Sequence, residues 1–425
     1  MSHRLGPLGL LAATLLAVPL GLSAAEDPAP EGTTIPLGTS ITVHSALLDE
    51  DRELLVHTPP GYDRGDGRYP VLYVLDGEYT FPFTVGIADF LAKSSHAPEM
   101  LVVGIVNTDR TRDLTPEPGP RERERYGSSG GAARFLRVLE EEIVPFVEGH
   151  YRTGPFRVLV GHSQGGLFTV HALLEGAPFG GFVAASPSVF WNDRMPAQRI
   201  RQGRPEGRGA LRSLYFSMGD ERDEMVGGAD ALAAALESTT PPGLTWTYRR
   251  MAGKDHEDMP LQSFYDGLDF VFRDTWDPSP ITEIGFAAYA ERLRAEYGDD
   301  FALPARTLFN AAPRARRRSC EDMAAFMGYW YEHRPDFFRR FLDDWVDEGR
   351  ERLDQGEATC AAGMFELLVT AAPSEVEAHV GLGDAHRAGG DRGAALAAYR
   401  EALALAPGRT DLRSRVDELQ ASERH

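Results

Sequence analysis

The sequence predicts a mainly parallel α/β sheet covered by helices on both faces, followed by an all-helical region. Three observations carry this. Short apolar runs alternate with segments of helical period from about residue 41 to residue 277, the pattern of buried parallel strands with crossover helices. One such run leads into Gly161-His162-Ser163-Gln164-Gly165 and passes directly into an apolar helical segment. Beyond Pro278 the strand-like runs stop, and Ala, Arg and Glu dominate.

In chain order, Arg4 precedes an apolar run from Leu8 to Leu22 and the small residues Ser23-Ala24-Ala25, so residues 1–25 are expected to be a cleaved signal peptide that sends the protein to the periplasm or the exterior. The run is too short, and too broken by Gly and Pro, for a membrane anchor. Residues 26–38 are expected to be a disordered leader. Strands at Ile41–Val43 and Glu53–His57 follow with no helix between them, an antiparallel start. Buried strands are expected at Val71–Leu75 and Met100–Val106, and the polar, Pro-rich Asp109–Arg125 reads as a loop. Phe135, Val138, Leu139, Ile143 and Phe146 place a helix over Gly131–Glu148. Phe156–Val160 is a strand and Leu167–Leu174 a helix. Strands at Gly181–Ala185, Leu211–Ser217 and Leu244–Met251, with helices at Ala229–Glu237 and Leu261–Trp276, complete a domain over residues 39–277.

Residues 278–341 are expected to form a helical linker region and residues 342–420 tetratricopeptide-like repeats. Pro373 and Pro407 are spaced by the 34-residue period of that repeat. Between them His379, Leu382, Gly383, His386, Ala395, Tyr399 and Ala402 fall at its pattern positions, and one period earlier Trp345, Gly349, Ala361 and Phe365 do the same. Such repeats need neighbours to bury their faces, so support from the preceding helices or the catalytic domain is expected, and the repeats offer a surface for a protein partner.

The 425 residues are 42% apolar, enough for a sizeable core. A formal net charge of −20 with no offsetting basic stripe argues against nucleic acid and anionic membranes as partners. Of the two cysteines, Cys320 and Cys360, an exported protein could make a disulfide, but nothing in the sequence brings them together.

Gly161-x-Ser163-x-Gly165 between a strand and a helix is a nucleophile elbow: a tight turn needs small flanking residues, and the hydroxyl projects above the sheet. This points to an α/β-hydrolase in which Ser163 is the nucleophile. Serine needs a base. His256, in Gly253-Lys254-Asp255-His256-Glu257-Asp258 between the last strand and the last helix, lies where this fold places it, after the acid in chain order. The acid should follow the strand ending at Ser217. Glu221 ranks first, with Asp223 and Glu224 as alternatives, and a Ser–His dyad without an acid is also open. The oxyanion hole needs two backbone N–H groups, one from Gln164 and one from Gly77 or Glu78, each worth roughly 3 kcal/mol in the transition state.

Several stretches resemble the esterase family that includes esterase D, enterochelin (siderophore) esterases and feruloyl esterases. They are His57-Thr58-Pro59-Pro60-Gly61-Tyr62, Tyr73-Val74-Leu75-Asp76-Gly77, Asn107 to Pro116, Gly161 to Gly166, Ser186-Pro187-Ser188 with Trp191, and Asp255-His256. The resemblance covers about residues 35–277. It implies Ser163 as nucleophile and His256 as base, with Ser186 to Trp191 as a pocket wall and Arg112-Asp113 as a loop anchor, so that Ser186, Trp191 and Arg112 are the candidate pocket residues; plain fold support is the alternative for both stretches. The sequence departs from the family at the acid, where the usual Gly-x-x-Asp spacing falls on Arg222.

The expected function is hydrolysis of a small-molecule carboxylic ester through an acyl-enzyme, with no metal and no organic cofactor. The alternatives are an acyltransferase on the same scaffold and a non-catalytic protein that binds through its helical tail.

Overall fold

The computed structural model describes residues 35–64, 67–203, 212–276, 278–298, 303 and 305–422. The expected signal peptide and most of the expected leader lie outside the described residues. From Leu37 onward the chain forms one compact unit.

Eight strands build a single sheet: β1 (Thr39–Ser45), β2 (Glu50–His57), β3 (Tyr69–Leu75), β4 (Leu101–Ile105), β5 (Thr153–His162), β6 (Gly181–Ala185), β7 (Arg212–Met218) and β8 (Leu244–Arg250). Their order is β1-β2-β4-β3-β5-β6-β7-β8. β1 and β2 form a hairpin with Thr39 opposite Val56 and Ser45 opposite Glu50, and β2 pairs antiparallel with β4. Every other pair is parallel. The fold is therefore the expected α/β-hydrolase sheet with an antiparallel start.

The period-2 alternation of the strands divides the core between two faces. Leu72, Val74, Val102, Val158, Val160 and Val183 point to one, against α1 (Gly77–Ser94) and α9 (Met259–Trp276). Tyr73, Leu75, Val103, Leu159, Phe182 and Phe216 point to the other. The stretch read as a loop from Asp109 to Arg125 instead contains two short helices, α2 (Arg110–Leu114) and α3 (Pro120–Arg125). The first is set by the Asp109 side chain, which accepts from the Arg112 N–H, and the second by Pro120 in its first turn. The helix expected at Gly131–Glu148 is α4 (Ala132–Val138) and α5 (Val144–His150) joined through a π-helical segment, Leu139–Ile143. With α6 (Gln164–Glu175), α7 (Trp191–Arg201) and α8 (Asp223–Ser238) they cover the second face.

Beyond the sheet come α10 (Ile281–Ile284), α11 (Phe286–Tyr297), α12 (Ala305–Arg318), α13 (Cys320–His333) and α14 (Pro335–Phe338). The region read as repeats holds α15 (Leu342–Asp354) with α16 (Ala358–Ala371), α17 (Val376–Ala388) with α18 (Arg392–Leu405), and a last helix, α19 (Thr410–Ser422). Close approach within these pairs depends on glycine. A Cβ at Gly349 or Gly381 would lie 2.6 or 2.1 Å from the Phe365 ring, and one at Gly383 would lie 2.4 Å from the Tyr399 ring. Cys320 of α13 and Cys360 of α16 form a disulfide.

The helices α10–α16 share the first core with the sheet. At the junction the rings of Phe156 from β5, Phe272 from α9 and Tyr297 from α11 pack with centroids 5.0–6.3 Å apart. Burying each such ring stabilises the fold by on the order of 2 kcal/mol.

Candidate active site

The site lies at the C-terminal ends of β3, β5, β6 and β7, where loops leave the parallel strands. β5 ends at His162, and Ser163 turns the chain into α6 with φ 59° and ψ −114°, a conformation that a non-glycine residue adopts at a cost of order 1–3 kcal/mol. Neighbouring hydrogen bonds hold it there: Ser163 N–H donates to Ala185 O, and Ser188 N–H and Leu167 N–H donate to Ser163 O. The flanking glycines are a steric requirement, since a Cβ at Gly161 would sit 2.3 Å from the Gly165 backbone and one at Gly166 3.0 Å from Pro187.

His256, on the loop between β8 and α9, reaches back to this turn. Its Nε2 is 3.0 Å from Ser163 Oγ, and its Nδ1 is 2.7 Å from Glu221 Oε2. Ser163, His256 and Glu221 thus form one hydrogen-bonded line. The Glu221 side chain is 5% exposed. Burial opposes its ionisation, but hydrogen bonds from His256 and Ser186 outweigh that and hold the carboxyl below its usual range. His162 packs on His256 with ring centroids 4.5 Å apart, and its Nε2 lies 2.9 Å from the His256 carbonyl. Burial, together with the adjacent His256, pushes His162 down to about 4, so it is neutral at pH 7.

A second network joins the loops after β3 and β5. Arg110 donates from Nε and Nη2 to the two Asp76 oxygens at 2.6 and 2.9 Å, and from Nη1 to the Gln164 side-chain oxygen at 2.9 Å. Asn107 Nδ2 donates to Asp76 Oδ1 at 2.7 Å and to Glu78 Oε1 at 2.6 Å. Gln164 and Gly77 are the first residues of α6 and α1, and Glu78 the second of α1, so their N–H groups belong to helical first turns that lack intrahelical acceptors. Arg110 ties together the two helix starts from which the oxyanion donors are expected.

A cavity of about 490 Å³ opens over Ser163 and His256, and Tyr126, Phe190, Trp191 and Met225 give it an apolar wall while Arg110 and Arg222 add cationic groups. Of the residues expected to line the pocket, Trp191 does. Ser186 does not: it is fully buried behind the site and its hydroxyl donates to Glu221. Arg112 does not either, because Asp113 and Glu50 hold its guanidinium at 2.7 and 2.6 Å as a loop anchor. Neither alternative acid bonds His256. Asp223 is exposed in the first turn of α8, and Glu224 faces Arg121 at 3.5 Å. Arg110, Asn107 and Asp76 received no role from the sequence, since no spacing relates an arginine in a polar loop to a carboxylate after an earlier strand.

Among the described residues no group of His, Cys, Asp or Glu is arranged to hold a metal, and no helix is long and apolar enough to cross a membrane.

Comparison with known proteins bears on the family and the fold. The chain is 31% identical over 180 residues to the ferri-bacillibactin esterase BesA of Bacillus subtilis (strain 168), covering 37% of this chain. It spans only 61% of that relative's own length. An IroE-like serine hydrolase from Shewanella oneidensis superposes with a TM-score of 0.58 at 27% identity, over 69% of this chain and 98% of that one. A protein from Capnocytophaga ochracea DSM 7271 shares the fold over 90% of this chain and 99% of its own, with a TM-score of 0.60 at 16% identity. A family model described as "Putative esterase" matches residues 45–257, half of the sequence and every strand from β2 to β8. The chain belongs to that esterase family.

Proposed function

We propose that this protein is a serine hydrolase that cleaves carboxylic esters through an acyl-enzyme on Ser163, with His256 as general base and Glu221 as the orienting acid. The reading is carried by the unbroken line of hydrogen bonds from Ser163 Oγ through the imidazole to Glu221. His256 takes the hydroxyl proton as Ser163 attacks the ester carbonyl, and the buried carboxylate steadies the imidazolium that forms. Developing negative charge on the carbonyl oxygen is met by the N–H of Gln164 and that of Gly77 or Glu78. His256 then gives its proton to the departing alcohol, and water repeats the sequence to free the acid.

The aromatic wall of Tyr126, Phe190 and Trp191 suits an ester with a ring or other flat apolar group. The name of the Bacillus relative makes ferri-bacillibactin the first natural ester to assay. Export fits the same picture, because the Cys320–Cys360 bridge is at home in an oxidising compartment.

Ser163→Ala should lower kcat on a chromogenic ester by roughly 10⁴-fold or more with an unchanged circular dichroism spectrum. A fluorophosphonate probe should label the wild type and not the variant. Near-wild-type turnover by Ser163→Ala would remove the assignment.

A further inference from the structure

The line of Ser163, His256 and Glu221 leaves one polar contact unexplained. Ser186 follows β6 directly and is fully buried, with φ 43° and its N–H donating to Ser217 O at the end of β7. Its hydroxyl donates to Glu221 Oε1, the carboxylate oxygen that His256 does not use, and its Oγ lies 3.0 Å from His256 Nδ1. A serine hydroxyl has one proton and two lone pairs. That proton goes to the charged acceptor, a stronger partner than the imidazole nitrogen or the Met218 thioether sulfur 3.7 Å away. The oxygen then faces Nδ1 only with lone pairs, so Nδ1 must carry a hydrogen, shared between Glu221 Oε2 and Ser186 Oγ.

We propose that Ser186 is a positioning residue that closes a three-member ring of hydrogen bonds, clamping the Glu221 carboxylate that holds His256 in the Nδ1–H form. Two consequences follow. With both oxygens occupied, the carboxylate cannot rotate without breaking a buried bond. With Nδ1 protonated, the Nε2 lone pair is the one presented to Ser163. The left-handed turn at Ser186 makes this possible, for it sets the hydroxyl at the end of β6 beside the neighbouring strand end that leads to Glu221. The inference rests on the esterase reading for its kinetic meaning, though its effect on the imidazole can be read separately.

The test is a double-mutant cycle on a chromogenic ester with Ser186→Ala, Glu221→Gln and the pair. Ser186→Ala should lower kcat about tenfold and leave KM within about twofold, as loss of one bond to a buried charge implies. In the Glu221→Gln background the same change should cost less than about twofold, because the acceptor has lost its charge and no longer steadies the imidazolium. Equal losses in both backgrounds would mean that Ser186 supports the fold and not the acid, and the proposal would fall. Ser186→Gly removes the hydroxyl while relieving the left-handed backbone. It should match the alanine variant, and recovery of wild-type kcat would assign the effect to strain and overturn the proposal. Nitrogen-15 spectra of the neutral imidazole should show the Nδ1–H form in both proteins, with that proton exchanging with solvent faster in Ser186→Ala, where the carboxylate is freer to turn. An unaltered exchange rate would also overturn it. A wild type that turns over no ester, while Ser186→Ala still shows this faster exchange, would remove the esterase reading and leave the clamp standing.

Discussion

The sheet half and the helical half of the molecule differ in where their backbones are strained. All eight non-glycine residues with left-handed φ among the described residues lie between Asp49 and Arg194, and they include Asp76, Ser163 and Ser186. Beyond Trp276 the positive-φ residues among the described ones are glycines alone: Gly285, Gly298, Gly356 and Gly390. A left-handed L-residue costs roughly 1–2 kcal/mol, so the sheet half tolerates several such costs, three of them at Asp76, Ser163 and Ser186 directly after β3, β5 and β6. The helical half spends nothing there and gains its order from aromatic burial, close helix contacts at glycine and one disulfide. Strain gathered at the strand ends thus marks where the chemistry sits, and a stable fold elsewhere supports it.

The contrast can be broken most sharply at Gly161. Gly161→Ala drives a Cβ into backbone that cannot yield, so ester turnover should fall by about 10³-fold or more and stability by several kcal/mol. Turnover within tenfold of wild type would show that the elbow is looser than its geometry states.

The next effect is in acid. His162 is neutral in the folded protein down to about pH 4, whereas an unfolded histidine takes up its proton near pH 6.5. The unfolded state therefore binds more protons between these values, and stability falls as the pH drops through that window. The loss is about 3 kcal/mol once both limits are passed, and none of it is felt above pH 7. Chemical denaturation at pH 7.5 and pH 4.5 measures it; burial also pushes His171 down to about 4, so His162→Asn should shrink the difference and leave the His171 share in place. An equal slope in that variant would place the acid sensitivity elsewhere.

The smallest effect belongs to the helical half. Gly381→Ala sets a Cβ 2.1 Å from the Phe365 ring, which must tilt between Gly349 and Gly381. Overpacking of this kind costs about 1–3 kcal/mol, partly offset by the better helix propensity of alanine. Thermal denaturation should show the loss while kcat stays within about twofold. A large fall in kcat would erase the division of labour between the halves.

Much of this was legible in the sequence, and the limits have physical causes. The elbow, His256 and Glu221 could be found because a strand, a tight turn and a helix leave local patterns, and because chain order in this fold restricts the base and acid to two loops. The paired helices from Leu342 could be found because a repeat declares its period. Helix α1 had no such signature: it buries one face through Thr80, Phe81, Thr84, Ala88 and Leu91, but Tyr79 and Phe90 put large rings on the exposed face and Pro82 lies within it, so no apolar stripe stands out in the sequence. Ser186 looked like a wall of the pocket because its left-handed turn, which directs the hydroxyl to Glu221, has no sequence mark in a non-glycine residue. The pairing of Cys320 with Cys360 depends on how α13 meets α16, a tertiary contact that spacing does not encode.

The ring cluster of Phe156, Phe272 and Tyr297 has a corollary for truncated copies. A copy of this chain ending at Trp276 would leave Phe156 and Phe272 facing water beside the sheet. Any such copy that folds and stays monomeric should carry smaller or polar residues at these two positions.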